Sequence, residues 1–146
     1  AYSFTAGTWY HIAFVRNSGT LKCYINGVAH ATTLGYSTNL NTISYLQLAS
    51  QTSRTSAKGQ LSNFRFNSTA VYTSNFTPTT SPLTAISGTQ YLLSSVSGAP
   101  LTDGSGNAYN PTNSTVPTWN SSSPFATGLG YKNRVYTWTS SGSITF

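Results

Sequence analysis

The run Trp9–Val28, WYHIAFVRNSGTLKCYINGV, is broken at two places, by Asn17-Ser18-Gly19 and by Asn26-Gly27. Both breaks are turn formers. Asn-Gly is the stronger, because both residues take positive φ at little cost, as a two-residue hairpin turn demands. The segments between the breaks are strand-length and rich in aromatic and β-branched residues. A three-stranded meander follows, with strands over Trp9–Arg16, Leu21–Ile25 and Val28–Thr33. Side chains alternate along a strand. Trp9, His11, Ala13 and Val15 therefore share one side of the first strand, and Tyr10, Ile12 and Phe14 the other. Both sides are largely apolar, so this strand is expected to be central and covered on both faces. Leu21, Cys23 and Ile25 share a face of the return strand. Trp9, Ala13, Leu21, Cys23 and Ile25 are the expected main core contacts of this sheet.

The rest of the chain also reads as strands. Ile43–Ala49 is an expected strand and Gln51–Lys58 a polar loop. Gln60–Phe66 resumes the sheet with Phe64 and Phe66 as candidate core, and Val71–Phe76 is a short aromatic segment. Pro78 and Pro82 end regular pairing, since proline lacks a ladder donor. After Pro82 the composition shifts to Ser, Thr, Asn, Gly and Pro. Gln90–Leu93, Arg134–Thr139 and Ser143–Phe146 remain as short strands. Asp103-Gly104-Ser105-Gly106-Asn107 reads as a turn cluster, and Asn110–Pro124 as a loop ordered by contact. No stretch holds a helical period. The fold class is all-β with many short strands, a sandwich or barrel.

Charge narrows the function. Charged residues are 5% of the 146, and Asp103 is the only acid. Average usage is about 25%. The surface must be solvated by Ser, Thr, Asn and Gln, as in extracellular β-proteins. The aromatic content of 14% calls for a core or an interface. The net charge of +6 comes from missing acids rather than from a basic cluster. Arg16, Lys22, Arg54, Lys58, Arg65, Lys132 and Arg134 are scattered, which argues against a nucleic-acid partner. No apolar run is long enough to span a membrane, and the opening residues do not read as a signal peptide.

Candidate chemistry is sparse. A glycosidase needs two carboxylates in separate roles, and this sequence has one. Asp103 alone is a poor calcium ligand set and reads as an Asx-turn. His11, Cys23 and His30 are zinc-compatible residue types, and they form a site only if neighbouring strands align them. Cys23 reads as a small buried hydrophobe with no disulfide partner. No nucleophile elbow is present. No catalytic residue, cofactor or metal is assigned. Four Asn-x-Ser/Thr sequons, at Asn67, Asn75, Asn113 and Asn120, are expected by chance in so Ser/Thr/Asn-rich a chain. Tyr36, Tyr45 and Trp119 stand beside polar residues and are candidate platforms for stacking on sugar rings. Burial in a core or interface is the competing reading for each.

A resemblance sharpens this. Gly7–Arg16 followed by Leu21–Val28 resembles the tryptophan–histidine strand and Asn-Gly hairpin of laminin-G-like, concanavalin A-like domains. Gly59–Phe66 (GQLSNFRF) is similar to a later strand of that family, and Val71–Pro78 (VYTSNFTP) to the segment after it, in the form found in tailed-phage fibre and virion proteins. The family's arginine before the tyrosine is Val71 here. Leu92-Leu93, Asp103, Ser123-Pro124-Phe125 and Gly142–Phe146 are similar to linking segments between tandem domains of such proteins. The resemblance implies an antiparallel jelly-roll β-sandwich. Residues 1–83 would be its C-terminal part, and residues 84–146 a tail or linking segment with short strands. The sandwich would be completed by a longer chain, by the tail folding back, or by neighbouring subunits. The implied role is a non-catalytic structural or adhesion module of a virion or similar extracellular assembly, with like subunits as partners. The alternative is a free-standing module that binds cell-surface glycan.

Overall fold

A computed structural model describes residues 2–37, 59–96, 99–109, 112–113, 118–120, 124–125, 135–138 and 144–145. All regular structure among them is β, and every pairing is antiparallel. The chain divides into two compact units, Ala1–Asn39 with Thr69–Thr79, and Leu40–Ser68 with Thr80–Phe146.

The first unit contains the meander. Strands β1 (Ile12–Asn17), β2 (Thr20–Ile25) and β3 (Val28–Gly35) lie in the order β1-β2-β3. The turns fall at Ser18-Gly19 and Asn26-Gly27, all four residues with positive φ. The meander is therefore where the turn chemistry placed it, but β1 is an edge strand and β2 the central one. Phe14 pairs with Cys23 and Ala13 with Tyr24. Directly paired residues share a face, so Ala13 lies opposite to Leu21 and Cys23, and the expected core set cannot form one cluster. The buried residues are Val15, Tyr24 and Ile25, with Tyr24 only 1% exposed. Of the five expected core residues only Ile25 is buried. Trp9, Ala13, Leu21 and Cys23 are half-buried.

One face of the meander is covered by residues 69–79, a strandless segment. The other is only partly covered: Ile25 is buried there and Leu21 and Cys23 are half-buried, while Ile12, Phe14, Val28 and Leu34 are exposed, Phe14 to 73%. The expectation that both faces of β1 are covered is therefore not met. Arg16, at the end of β1, donates from Nε to the Tyr36 carbonyl (3.1 Å) and from Nη2 to the Ser37 carbonyl (3.1 Å). These bonds tie down the chain where it leaves β3.

The second unit contains β4 (Gly59–Leu61), β5 (Arg65–Asn67), β6 (Thr89–Val96), β7 (Ala99–Asp103), β8 (Thr112–Asn113), β9 (Thr118–Asn120), β10 (Val135–Trp138) and β11 (Ile144–Thr145). The sheets run β5-β6-β7, β4-β10-β9 and β11-β8. Pairing joins residues on either side of Leu83: Arg65 lies opposite Leu92, and Leu61 opposite Tyr136. The expected single strand over Gln60–Phe66 is two strands, split at Asn63, whose φ is +57°. The Asn63 side chain accepts a hydrogen bond from the Leu83 N–H at 3.0 Å, so the break is a bonded corner. Tyr91, Leu92 and Leu93 are all buried. Successive side chains point to opposite faces, so this burial means that both faces of β6, the central strand of its sheet, are covered here. Phe64 and Phe66 are half-buried, with the Phe64 ring 6.3 Å from that of Tyr91. Ala99–Asp103 was not expected as a strand, and Asn110–Pro124 holds two short strands where a loop was expected. The expected strand over Ile43–Ala49 and the loop over Gln51–Lys58 lie outside the described residues.

Tyr24 fills the first unit's core. Tyr24→Ala is expected to cost about 3–5 kcal/mol, as for other fully buried aromatics cut to alanine, whereas Phe14→Ala should change stability little. Chemical denaturation of both variants checks the assignment of the two faces.

Candidate functional site

The segment over the meander is built around the Asn26-Gly27 turn. The Gly27 carbonyl accepts a hydrogen bond from the Phe76 N–H (2.9 Å), and the Asn75 side chain accepts one from the Ala29 N–H (2.9 Å). Asn26 holds the other side of the hairpin: its Oδ1 accepts from the His11 N–H at 2.9 Å, and its own N–H donates to the His11 carbonyl at 2.8 Å. Gly27 sits at φ +80°, and a Cβ there would overlap the Phe76 carbonyl and press on Pro78. Only glycine allows both the turn and this close approach.

The aromatic residues of the segment then stack. Tyr72 and Phe76 lie 3.7 Å apart, 8° from parallel. Phe76 meets His11 nearly edge-on at 5.3 Å and tilts against Tyr24 at 5.6 Å. Tyr72 also meets His11 edge-on at 6.0 Å. These rings are held from several sides, so the exposed part of Tyr72 is a fixed surface.

Beside Tyr72 lies a cavity of about 200 Å3. Buried Val15 and Tyr24 contribute its apolar lining, and Asn17, Thr20 and Thr73 its neutral polar groups. Lys22 is the one charged residue in it, half-buried, on the same face of β2 as Tyr24. Sequence reasoning did not single out this site. The signal was there: Lys22 shares the period-2 face of Thr20 and Tyr24, and Tyr72 is one residue from Thr73 in the aromatic segment. What was missing was the fact that this segment lies on that face.

The residues singled out as sugar platforms are not among those lining this cavity. Tyr36 follows β3, is 40% exposed, and its N–H donates to the Gly19 carbonyl at 2.7 Å. Trp119 is in strand β9, in register with Tyr136, rather than in a polar loop. Tyr45 lies outside the described residues. The zinc-compatible trio also separates. His11 packs against Tyr72 and Phe76, Cys23 pairs with Phe14 on the other face, and His30 Nδ1 accepts from the Thr32 N–H at 3.3 Å. Among the described residues no three His, Cys, Asp or Glu come together. Burial pushes the Cys23 thiol above its usual range, the opposite of activation.

Asp103 belongs to the second unit and is committed to its turn. Its Oδ1 accepts from the Leu92 N–H (3.1 Å) and the Ser105 N–H (2.8 Å). Its Oδ2 accepts from the Ser105 hydroxyl (2.7 Å) and the Tyr109 N–H (3.2 Å). Partial burial alone would raise the carboxyl's pKa, but these hydrogen bonds together outweigh it and leave the group below the ordinary carboxylate range.

Among known families, a laminin-G model described as the concanavalin A-like lectin/glucanases superfamily matches residues 1–74. No curated protein and no solved structure matches the chain.

Because the Asp103 carboxyl is depressed in the fold, its stabilising contribution is full above the unfolded value, about pH 4, and fades as pH falls through the lower folded value. Asp103→Asn should flatten the acid limb of the stability profile below about pH 4 while leaving the neutral limb displaced by a constant amount. Urea unfolding of both proteins as a function of pH measures this.

Proposed function

The chain belongs to the laminin-G-like family of the concanavalin A-like lectin/glucanase superfamily, and from that premise we propose that it is a non-catalytic structural and adhesive module of an extracellular assembly. The virion is the assembly its VYTSNFTP segment resembles most. The carrying observation is the partly covered face of the meander, where Ile12 and Phe14 on β1 and Val28 and Leu34 on β3 are exposed. Exposed apolar side chains grouped on one sheet face are the usual material of an interaction site. Tyr2 and Phe4, both exposed, cluster with Tyr10 just ahead of β1.

The proposed occupant is a second copy of the chain. The face carries no acid, and its one cation, Arg16, is engaged with backbone carbonyls. Two such faces would bring together only the two Arg16 cations, each already occupied by its own backbone carbonyls. Edge strand β3, Val28–Gly35, carries no Lys, Arg, Asp or Glu. Charges of this kind are what usually prevent edge-to-edge pairing. Non-catalysis is supported by Asp103: glycoside cleavage needs a pair of carboxylates, and the one acid in the 146 residues is held by four hydrogen bonds in a turn. A free-standing lectin is the second reading, favoured by the Tyr72–Phe76 stack beside a polar cavity.

The 146-residue chain should be oligomeric in light scattering and native mass spectrometry, and Phe14→Glu should shift it to monomer or to aggregate. A soluble wild-type monomer with cooperative unfolding would remove the support for assembly through this face.

A further inference from the structure

We propose that Asn26-Gly27 is a site of spontaneous deamidation, that docking of residues 69–79 holds it shut, and that its isoaspartate product prevents the segment from docking again.

The reaction belongs to the sequence. In an Asn-Gly pair the glycine amide nitrogen attacks Cγ of the asparagine side chain. A C–N bond forms, ammonia leaves, and a succinimide ring closes. Water then opens the ring at either carbonyl, giving aspartate or isoaspartate. Glycine favours the attack because no Cβ crowds its nitrogen. Asn26 is the one asparagine of the 146 residues that precedes a glycine.

The folded turn opposes the closure. Positive φ at Asn26 (+50°) and Gly27 (+80°) is the mark of a type I′ turn. Such a turn keeps the Gly27 nitrogen and the Asn26 Cβ on opposite sides of the Asn26 Cα–C bond, whereas the succinimide needs them on the same side. Asn26 is also clamped to the residue ahead of β1. Its Oδ1 accepts from the His11 N–H at 2.9 Å, and its N–H donates to the His11 carbonyl at 2.8 Å. Gly27 is clamped from the other side. Its carbonyl accepts from the Phe76 N–H at 2.9 Å, and the Phe76 carbonyl lies where a Cβ would stand. Rotation about the Asn26 Cα–C bond swings the Gly27 peptide out of this seat, so ring closure waits for residues 69–79 to leave.

The two products differ in consequence. Aspartate keeps an oxygen where Oδ1 stands and keeps the two-residue turn. Isoaspartate routes the main chain through Cβ and Cγ and adds a methylene between Ile25 and Val28, which are paired across the hairpin. The Gly27 carbonyl then no longer meets the Phe76 N–H. Tyr72 and Phe76 lose their place over Tyr24, and no spontaneous step restores the asparagine.

The test ages the full 146-residue chain in one mildly alkaline buffer, folded and in urea. Asn26 is followed by peptide mass spectrometry with fragmentation that separates aspartate from isoaspartate. Loss of Asn26 should be about 10-fold or more slower in the folded chain, because it passes through a minor opened population. Across a urea series and two Asn75 variants, the rate should follow hydrogen exchange of the Phe76 amide. Asn75→Ala, which deletes the acceptor of the Ala29 N–H, should raise both; Asn75→Asp, which keeps an oxygen there, should raise both less. The urea series carries the test where the alanine variant does not fold. Purified isoaspartate protein should exchange the Phe76 amide about 10-fold or more faster than unmodified protein. Equal loss of Asn26 in the folded and unfolded chains, a rate that does not follow the Phe76 amide, or an isoaspartate protein with unchanged protection overturns the proposal.

Discussion

The missing Cβ of Gly27 is the constraint on which the first unit depends. It lets the hairpin reverse with φ at +80° and lets the Phe76 carbonyl approach at the same point. The Phe76 N–H then bonds to the Gly27 carbonyl, and Asn75 caps the first amide beyond Val28. Without this seat, Tyr72 and Phe76 would have no fixed place over Tyr24, and one face of the sheet would lose its cover. A single backbone position thus links a local turn to the packing of a segment far away in sequence.

The two faces of the meander are consequently unlike. The face under residues 69–79 buries Val15 and Tyr24 and holds Lys22 beside an aromatic stack. The opposite face presents Ile12, Phe14, Val28 and Leu34 to solvent. Period-2 alternation gives a strand two chemically separate surfaces, and here the separation allows one sheet to carry both a small polar site and a broad apolar one.

Much of this was legible in the residues. Asn-Ser-Gly and Asn-Gly fixed the hairpin positions, since few residue pairs tolerate the required dihedrals. Asp103 was legible as a turn residue because Asp-Gly-Ser-Gly-Asn favours local side-chain bonding to the backbone. Three things were not. The cross-strand register, Phe14 opposite Cys23, decides which faces join, and β1 is largely apolar on both sides, so hydrophobicity could not choose which of its faces joins the Leu21–Cys23–Ile25 face of β2. The β5–β6 and β4–β10 pairings are non-local, and β4, β5 and β10, of three or four residues each, carry too little pattern to announce their partners. Lys22 and Tyr72 become neighbours only through the docking at Gly27, which no local propensity encodes.

That last point bears on what the sole carboxylate can mean. An acid that served as a general acid or base would need its charge state free to change near working pH. Asp103 is in the reverse condition. Two backbone N–H groups, one hydroxyl and one further N–H surround its oxygens, and each of these bonds favours the ionised form. The Asp103 side chain also bonds the β6 backbone at Leu92, in the same register that sets Leu93 opposite Asp103. Its charge is therefore a structural element that joins β6 to the turn after β7. With its only acid committed in this way, the 146-residue sequence lacks the pair of carboxylates on which glycoside cleavage ordinarily depends.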